Sequence, residues 1–234
     1  MQLNINAAIR FYDEVSSINS KHASSITGLI GEDIALNVFR HYARSQDWDV
    51  TVLDAPCTEG KRKGKWLDKW LVVARDSPPC LYQVEIKNWS AHSLGGKHLA
   101  HNSSPEEIAL YKQQRWRGLW DQANERFYGD YLNKVLSPMQ PPLAQAHLPV
   151  EPLLILWFAI HPFGLNEPFF TMKAQGAFAR VHVFSVSAYL RALNVDTIQL
   201  DVPRIEERMY ILQTLLPQEF PASPFGASTE KTDA

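Results

Sequence analysis

The chain has 234 residues, 45% of them hydrophobic and 21% charged, with a formal net charge of −2. This is the ordinary composition of a globular protein long enough to bury a proper core in one domain, and nothing in the global charge announces a nucleic-acid binder. The two cysteines, Cys57 and Cys80, make no disulfide-framework spacing, and the opening Met1–Asn6 lacks the basic and apolar regions of a signal peptide, so a cytoplasmic location is expected.

Residues Ala7 to Ser20 read as a helical arm, and 1–23 as a segment ahead of the main domain. Ser24 and Ser25 are candidate caps for a helix running to about Arg44. On its wheel Asp33, Asn37, Arg40, His41 and Arg44 share a polar sector, so Asp33 is expected to face solvent. Glu32 falls instead among Gly28, Gly31, Ala35, Leu36 and Phe39, on the buried arc, where a carboxylate needs a partner or a metal. Trp48 to Leu53 reads as the first strand. The loop after it carries Lys61, Arg62 and Lys63, with Lys65 just beyond.

Lys65 to Ala74 and Leu81 to Trp89 read as two strands joined by the turn residues Asp76-Ser77-Pro78-Pro79. In the second of these strands Tyr82, Val84 and Ile86 point one way and Gln83, Glu85 and Lys87 the other. Ser90 to Ser104 is loop-like, and its His98 and His101 lack the cysteine partners of a zinc pattern. Pro105 to Phe127 is expected as a helix with Trp116, Leu119, Trp120, Ala123 and Phe127 as its apolar stripe. Proline-rich Leu136 to Pro152 reads as a connection. The apolar run Leu153 to Ile160 reads as a central strand buried on both faces, and at eight residues it is too short to cross a membrane. Val181 to Ser185 is a further strand, Ala188 to Leu193 a helix capped by Ser187, and Val202 to Leu216 a last helix. Residues 217–234 have the composition of a disordered tail, leaving 24–216 as the domain.

Chemistry-bearing groups gather at one place in this order. Glu85 and Lys87 share a strand face, and Asp68 lies on the neighbouring strand of the same hairpin. Two carboxylates beside an ammonium suit a divalent cation and a phosphate-bound water. Between Gly60 and Leu119 eleven Lys/Arg stand against five Asp/Glu, a local excess of +6, whereas Leu200 to the end has six acids against three bases. The positive part of the chain surrounds the motif.

Asp68, Glu85-Ile86-Lys87 and the helical Gly28-Leu29-Ile30-Gly31-Glu32, in the order helix, three strands, helix, strand, resemble the PD-(D/E)XK nuclease superfamily. The resemblance covers Ser24 to about Leu193. The proline of the family's name is absent, since Leu67 precedes Asp68. It implies an α/β fold with a restriction-endonuclease-like core, a mixed central sheet flanked by helices in αβββαβ order. It further implies that Asp68, Glu85, the Ile86 carbonyl and Glu32 hold Mg²⁺, with Mn²⁺ as a substitute. Lys87 would position or deprotonate the attacking water, so that Glu32, Asp68, Glu85 and Lys87 form the catalytic set. Lys61, Arg62, Lys63 and Lys65 would contact DNA phosphates. The implied activity is endonucleolytic hydrolysis of DNA in transposition, restriction, phage defence or repair. Lacking a helix-turn-helix or zinc finger of its own, such an enzyme is expected to act under a protein partner. The alternative is a nuclease-like subunit that binds or scaffolds without turnover. A nucleotide-handling enzyme is disfavoured, because neither a Walker-type loop nor a dinucleotide fingerprint is present.

Overall fold

A computed structural model describes residues 1–14, 21–53, 69–75, 78–87, 120–121, 126–127, 148–157, 159, 167–173 and 179–215, with side chains left out at 13–14, 21–29, 120–121, 126–127, 209 and 211–215. The fold is mixed α/β.

The N-terminus forms strand β1 (Gln2–Asn4) and a short helix α1 (Ile5–Ile9), capped by the Asn4 side chain accepting from the Ala7 N–H, and then a single π-type turn, Arg10–Glu14. β1 pairs antiparallel with β10 (Thr197–Gln199), and Leu3, Ile5, Ala8 and Ile9 belong to the main hydrophobic core.

Helix α2 (Lys21–Ser45) starts ahead of Ser24 and Ser25, so those serines lie within its first turns rather than at the expected cap. Its buried stripe, Gly31, Ala35, Phe39 and Ala43 with Ile34 and Val38 alongside, repeats every three or four residues. The helix stops on a left-handed residue, Asp47 (φ 57°). Trp48 N–H donates back to Ala43 and Asp47 N–H to Arg44, the paired closing bonds of a Schellman turn.

Strands β2 (Asp49–Leu53), β3 (Lys69–Ala74) and β4 (Cys80–Lys87) make an antiparallel meander. Next to β4 comes β7 (Val150–Leu156), running parallel, then β9 (Arg180–Ser185), parallel to β7, and β8 (Phe169–Lys173), antiparallel to β9. The two-residue strands β5 (Trp120–Asp121) and β6 (Arg126–Phe127) add an edge hairpin beyond β8. The sheet order is β2-β3-β4-β7-β9-β8-β6-β5.

The hairpin corrects the helix expected over Pro105 to Phe127 at its described positions. Its register sets Trp120 opposite Phe127 and Asp121 opposite Arg126. Aromatic residues have only a weak helix preference, and pairing with β8 gives the β6 backbone a ladder to join. The rest of that expected helix, His98, His101 and the tail at 217–234 lie outside the described residues.

β7 begins at Val150, inside the expected connection. Pro152 is accommodated because the β7–β9 ladder starts only at Leu153, so proline near the strand start removes no bond on that side. From Leu153 to Trp157 every side chain is buried, as parallel pairing on both sides demands.

Registered partners share a face. Tyr82, Val84 and Ile86 of β4 lie with Leu153, Ile155 and Phe184 under α2 and α1, in the single core cluster. Trp70, Leu81, Gln83, Glu85, Leu154, Leu156 and Val183 are on the reverse face, also buried. The alternation expected along β4 is therefore present, although the Gln83–Glu85 side is no solvated surface.

Two helices follow the sheet. α3 (Val186–Ala192) is capped by Ser185, whose hydroxyl accepts from Ala188 N–H and from Ala159 N–H; Ser187, the expected cap, sits in the first turn and donates its N–H to the Trp157 carbonyl. α4 (Pro203–Leu215) packs against α2. It covers Asp33, which is 8% exposed and accepts from Arg208, so the solvent-facing position read from the wheel is corrected: the partner helix brings its own guanidinium. No helix among the described residues is long and apolar enough to cross a membrane.

Candidate functional site

β4 is flanked by β3 and β7, and its C-terminal end carries the polar side chains expected there. The Glu85 carboxylate is ion-paired to the Lys87 ammonium, two residues along on the same face. The carboxylate end is nearly closed off, with the Glu85 side chain 7% exposed, while the Lys87 side chain is 35% exposed and forms the outer member. A buried carboxylate without a cation beside it is costly, so the lysine answers a local electrostatic need whatever else it does.

The β3–β4 ladder is described as far as Lys69 opposite Val84. Asp68 is the residue before Lys69 in sequence, and Glu85 the residue after Val84. Asp68 itself, and Lys61, Arg62, Lys63 and Lys65, lie outside the described residues.

One residue ties the helix to this end of the sheet. Trp157, just past β7, donates its backbone N–H to the Lys87 carbonyl (3.2 Å) and its ring Nε1–H to the Gly31 carbonyl (3.2 Å). Its ring also stacks on Tyr12, centroids 4.2 Å apart. Gly31 is buried, and the absence of a Cβ lets the indole reach the helix backbone. Glu32 follows directly, half-buried. It therefore belongs to the turn of α2 anchored one tryptophan away from Lys87, though it is the less buried of the Glu32–Asp33 pair, the reverse of the wheel. The Ile86 side chain is in the core on the other face.

Among the described residues no three His, Cys, Asp or Glu side chains cluster closely enough to hold a metal. Glu85 is on the sheet face turned away from α2, whereas Glu32 belongs to α2, so the described residues do not bring these two carboxylates to one point. The Lys87 ammonium on Glu85 shows that this carboxylate already accepts a cation.

A second polar cluster, on the α2 face of the sheet, was not singled out in the sequence. His182 of β9 is 1% exposed, with Nε2 against the Glu151 carboxylate and Nδ1 2.8 Å from the Thr171 hydroxyl. Arg180 binds the other Glu151 oxygen. Burial keeps the His182 imidazole below its ordinary pKa, outweighing the upward pull of Glu151. Burial also pushes the Glu151 carboxyl up, but hydrogen bonds from Arg180 and His182 overcome this and leave it below the usual carboxylate value. A neutral ring must then donate Nε2–H to Glu151 and accept the Thr171 hydroxyl proton at Nδ1. The cluster crosses β7, β9 and β8, and its sequence signal is only a histidine inside an apolar strand.

No family model, no curated protein and no solved structure matches this chain.

Proposed function

We propose that the chain is a metal-dependent deoxyribonuclease with a restriction-endonuclease-like core, hydrolysing phosphodiester bonds at the end of β4. The observation that carries this reading is the Glu85–Lys87 pair: a carboxylate nearly closed off on a central strand, with an ammonium on the same face at its mouth. The sheet supports it, since α2 is followed by the meander β2-β3-β4 and then by a strand parallel to β4, which accords with the expected αβββαβ order.

In this reading Asp68, Glu85, the Ile86 carbonyl and Glu32 would hold Mg²⁺, which would supply an activated water and offset the charge of the phosphate. Lys87 would orient the attacking water and meet the charge growing on the phosphate oxygens. Lys61, Arg62, Lys63 and Lys65 contact the DNA backbone, and a protein partner directs cutting.

The direct contact between Glu85 and Lys87 favours one second reading, a nuclease-like subunit that binds DNA or scaffolds a complex without turnover, the pair then being purely structural. Incubating the full chain with supercoiled, linear and single-stranded DNA in Mg²⁺, Mn²⁺ or EDTA separates the two. Metal-dependent cleavage lost in Glu85→Gln supports the enzyme; binding without cleavage in every metal overturns it.

A further inference from the structure

The polar cluster on the α2 face lies where β7, β9 and β8 run side by side. Thr171 and His182 are directly opposite in the antiparallel β8–β9 register. His182 is opposite Leu153 of β7, two residues beyond Glu151, so all three side chains share one face. Glu85 and Lys87 are on the reverse face, and this cluster is independent of the chemistry proposed there.

The three groups are arranged in order from solvent inward. Thr171 is exposed, and its Oγ1 is 2.8 Å from His182 Nδ1. The His182 ring is 1% exposed, with Phe169 stacked on it at 5.5 Å and Tyr82 edge-on at 5.1 Å between centroids. Nε2 meets Oε2 of Glu151, whose Oε1 accepts from Arg180 Nε at 2.7 Å. Arg180 thus holds the carboxylate and the carboxylate holds the tautomer, leaving Nδ1 to accept the hydroxyl proton. Burial keeps the ring neutral at pH 7; Arg75 and Arg180 act in the same direction and Glu151 in the other. A purely structural network would be as well satisfied beneath a covered hydroxyl. An accessible hydroxyl on a base that a third group orients is instead the arrangement of an activated nucleophile.

We propose that Thr171, His182 and Glu151 form an acyl-transfer centre that hydrolyses carboxylic esters, with Thr171 as nucleophile, His182 as its base and Glu151 orienting that base. Thr171 Oγ1 attacks the ester carbonyl carbon and forms the new C–O bond, while the hydroxyl proton passes to Nδ1. The bond to the alcohol oxygen then breaks, and that oxygen takes the proton from Nδ1 as it leaves. Water repeats the sequence on the acyl group: its oxygen bonds to the carbonyl carbon, its proton goes to Nδ1, and the Thr171 ester bond breaks with the proton returned to Oγ1. The sum is ester and water to acid and alcohol. Glu151 stabilises the imidazolium that forms at each stage.

The test incubates the full-length protein with p-nitrophenyl acetate and follows nitrophenolate release, with mass spectrometry of acid-quenched samples. Release by the wild type is expected to level off above pH 6.5, because the ring is neutral there. A hydroxyl without a base would instead react about tenfold faster per pH unit. Thr171→Val should abolish release at an unchanged melting temperature, and Thr171→Ser should retain it. His182→Gln, if folded, should lower release by roughly 10²–10⁴-fold, and Glu151→Gln should lower it less. An acetyl group on Thr171 in the wild type and none in His182→Gln supports the centre. Release that is unchanged in Thr171→Val overturns it, as does release by the wild type at the rate of the ester in buffer alone. Since Thr171 is exposed and its substitution spares the buried ring, the valine and serine variants decide the matter even where His182→Gln does not fold.

Discussion

Glu85 and Lys87 form an ion pair along one strand rather than across two, with the carboxylate buried and the ammonium at the opening. The asymmetry of exposure predicts an asymmetry of mutation. Lys87→Met removes a cation from a buried carboxylate and is expected to cost roughly 1–3 kcal/mol in EDTA. Glu85→Gln leaves an ammonium that can turn to solvent, and should cost less. If Glu85 is a metal ligand, Mn²⁺ should restore much of the melting temperature of Lys87→Met and none of that of Glu85→Gln. Thermal melts with and without Mn²⁺ check this, and equal responses of the two variants would argue for a purely structural pair.

Metal binding and chemistry should also part company at this site. Asp68→Ala and Glu85→Ala are expected to lose both Mn²⁺ binding and cleavage. Lys87→Ala should slow cleavage by roughly 10²–10⁴-fold while keeping metal affinity near wild type, since an ammonium cannot ligate a cation. Calorimetric Mn²⁺ titration beside a plasmid-nicking assay reads both quantities. Wild-type metal affinity in Asp68→Ala would remove Asp68 from the donor set.

The Trp157 bridge offers a graded test. Trp157→Phe deletes the Nε1–H bond to Gly31 while retaining a ring against Tyr12, and should cost about 1 kcal/mol. Trp157→Ala also leaves a cavity among buried neighbours, and should cost about 3–5 kcal/mol. Urea unfolding gives both numbers. If the bridge positions Glu32 near Lys87, even the mild variant should lower cleavage at temperatures where it remains fully folded.

His182 predicts how stability responds to acid. Its folded pKa lies below the ordinary 6.5, so the unfolded chain takes up the proton first. Stability is therefore full above pH 6.5 and falls as pH drops below it. Glu151, held below its ordinary 4.5, contributes above that value and loses its contribution at still lower pH. Unfolding free energy measured from pH 8 to pH 2 should decline in two stages. His182→Gln should flatten the first stage and, by removing one of the two hydrogen-bond partners that hold Glu151 low, also shrink the second; an unchanged upper stage would show that the proton is taken up elsewhere.

Local pattern determined much of this protein. The meander β2-β3-β4, the buried run from Leu153, the alternation of Tyr82, Val84 and Ile86 against Gln83, Glu85 and Lys87, and helices near α2, α3 and α4 all follow from periodicity and turn chemistry, which act over a few residues. Tertiary structure decided what those signals leave open. A helical wheel gives Asp33 and Glu32 an angle but not a neighbour, and α4, some 170 positions later, buries Asp33 under Arg208. Trp120 and Phe127 fit a helical stripe as well as a hairpin, and only the edge of β8 gave them a ladder to join. Ser185 rather than Ser187 is the cap because the helix begins at Val186, directly after the end of β9, and the Ser185 hydroxyl accepts from Ala188 N–H. The Arg180–Glu151–His182–Thr171 cluster needs three strands in register, and the Gly31–Trp157–Lys87 connection needs a helix, a strand end and a strand brought together. Contacts of that kind depend on which elements become neighbours, and neighbourhood is set by the packing of the whole core.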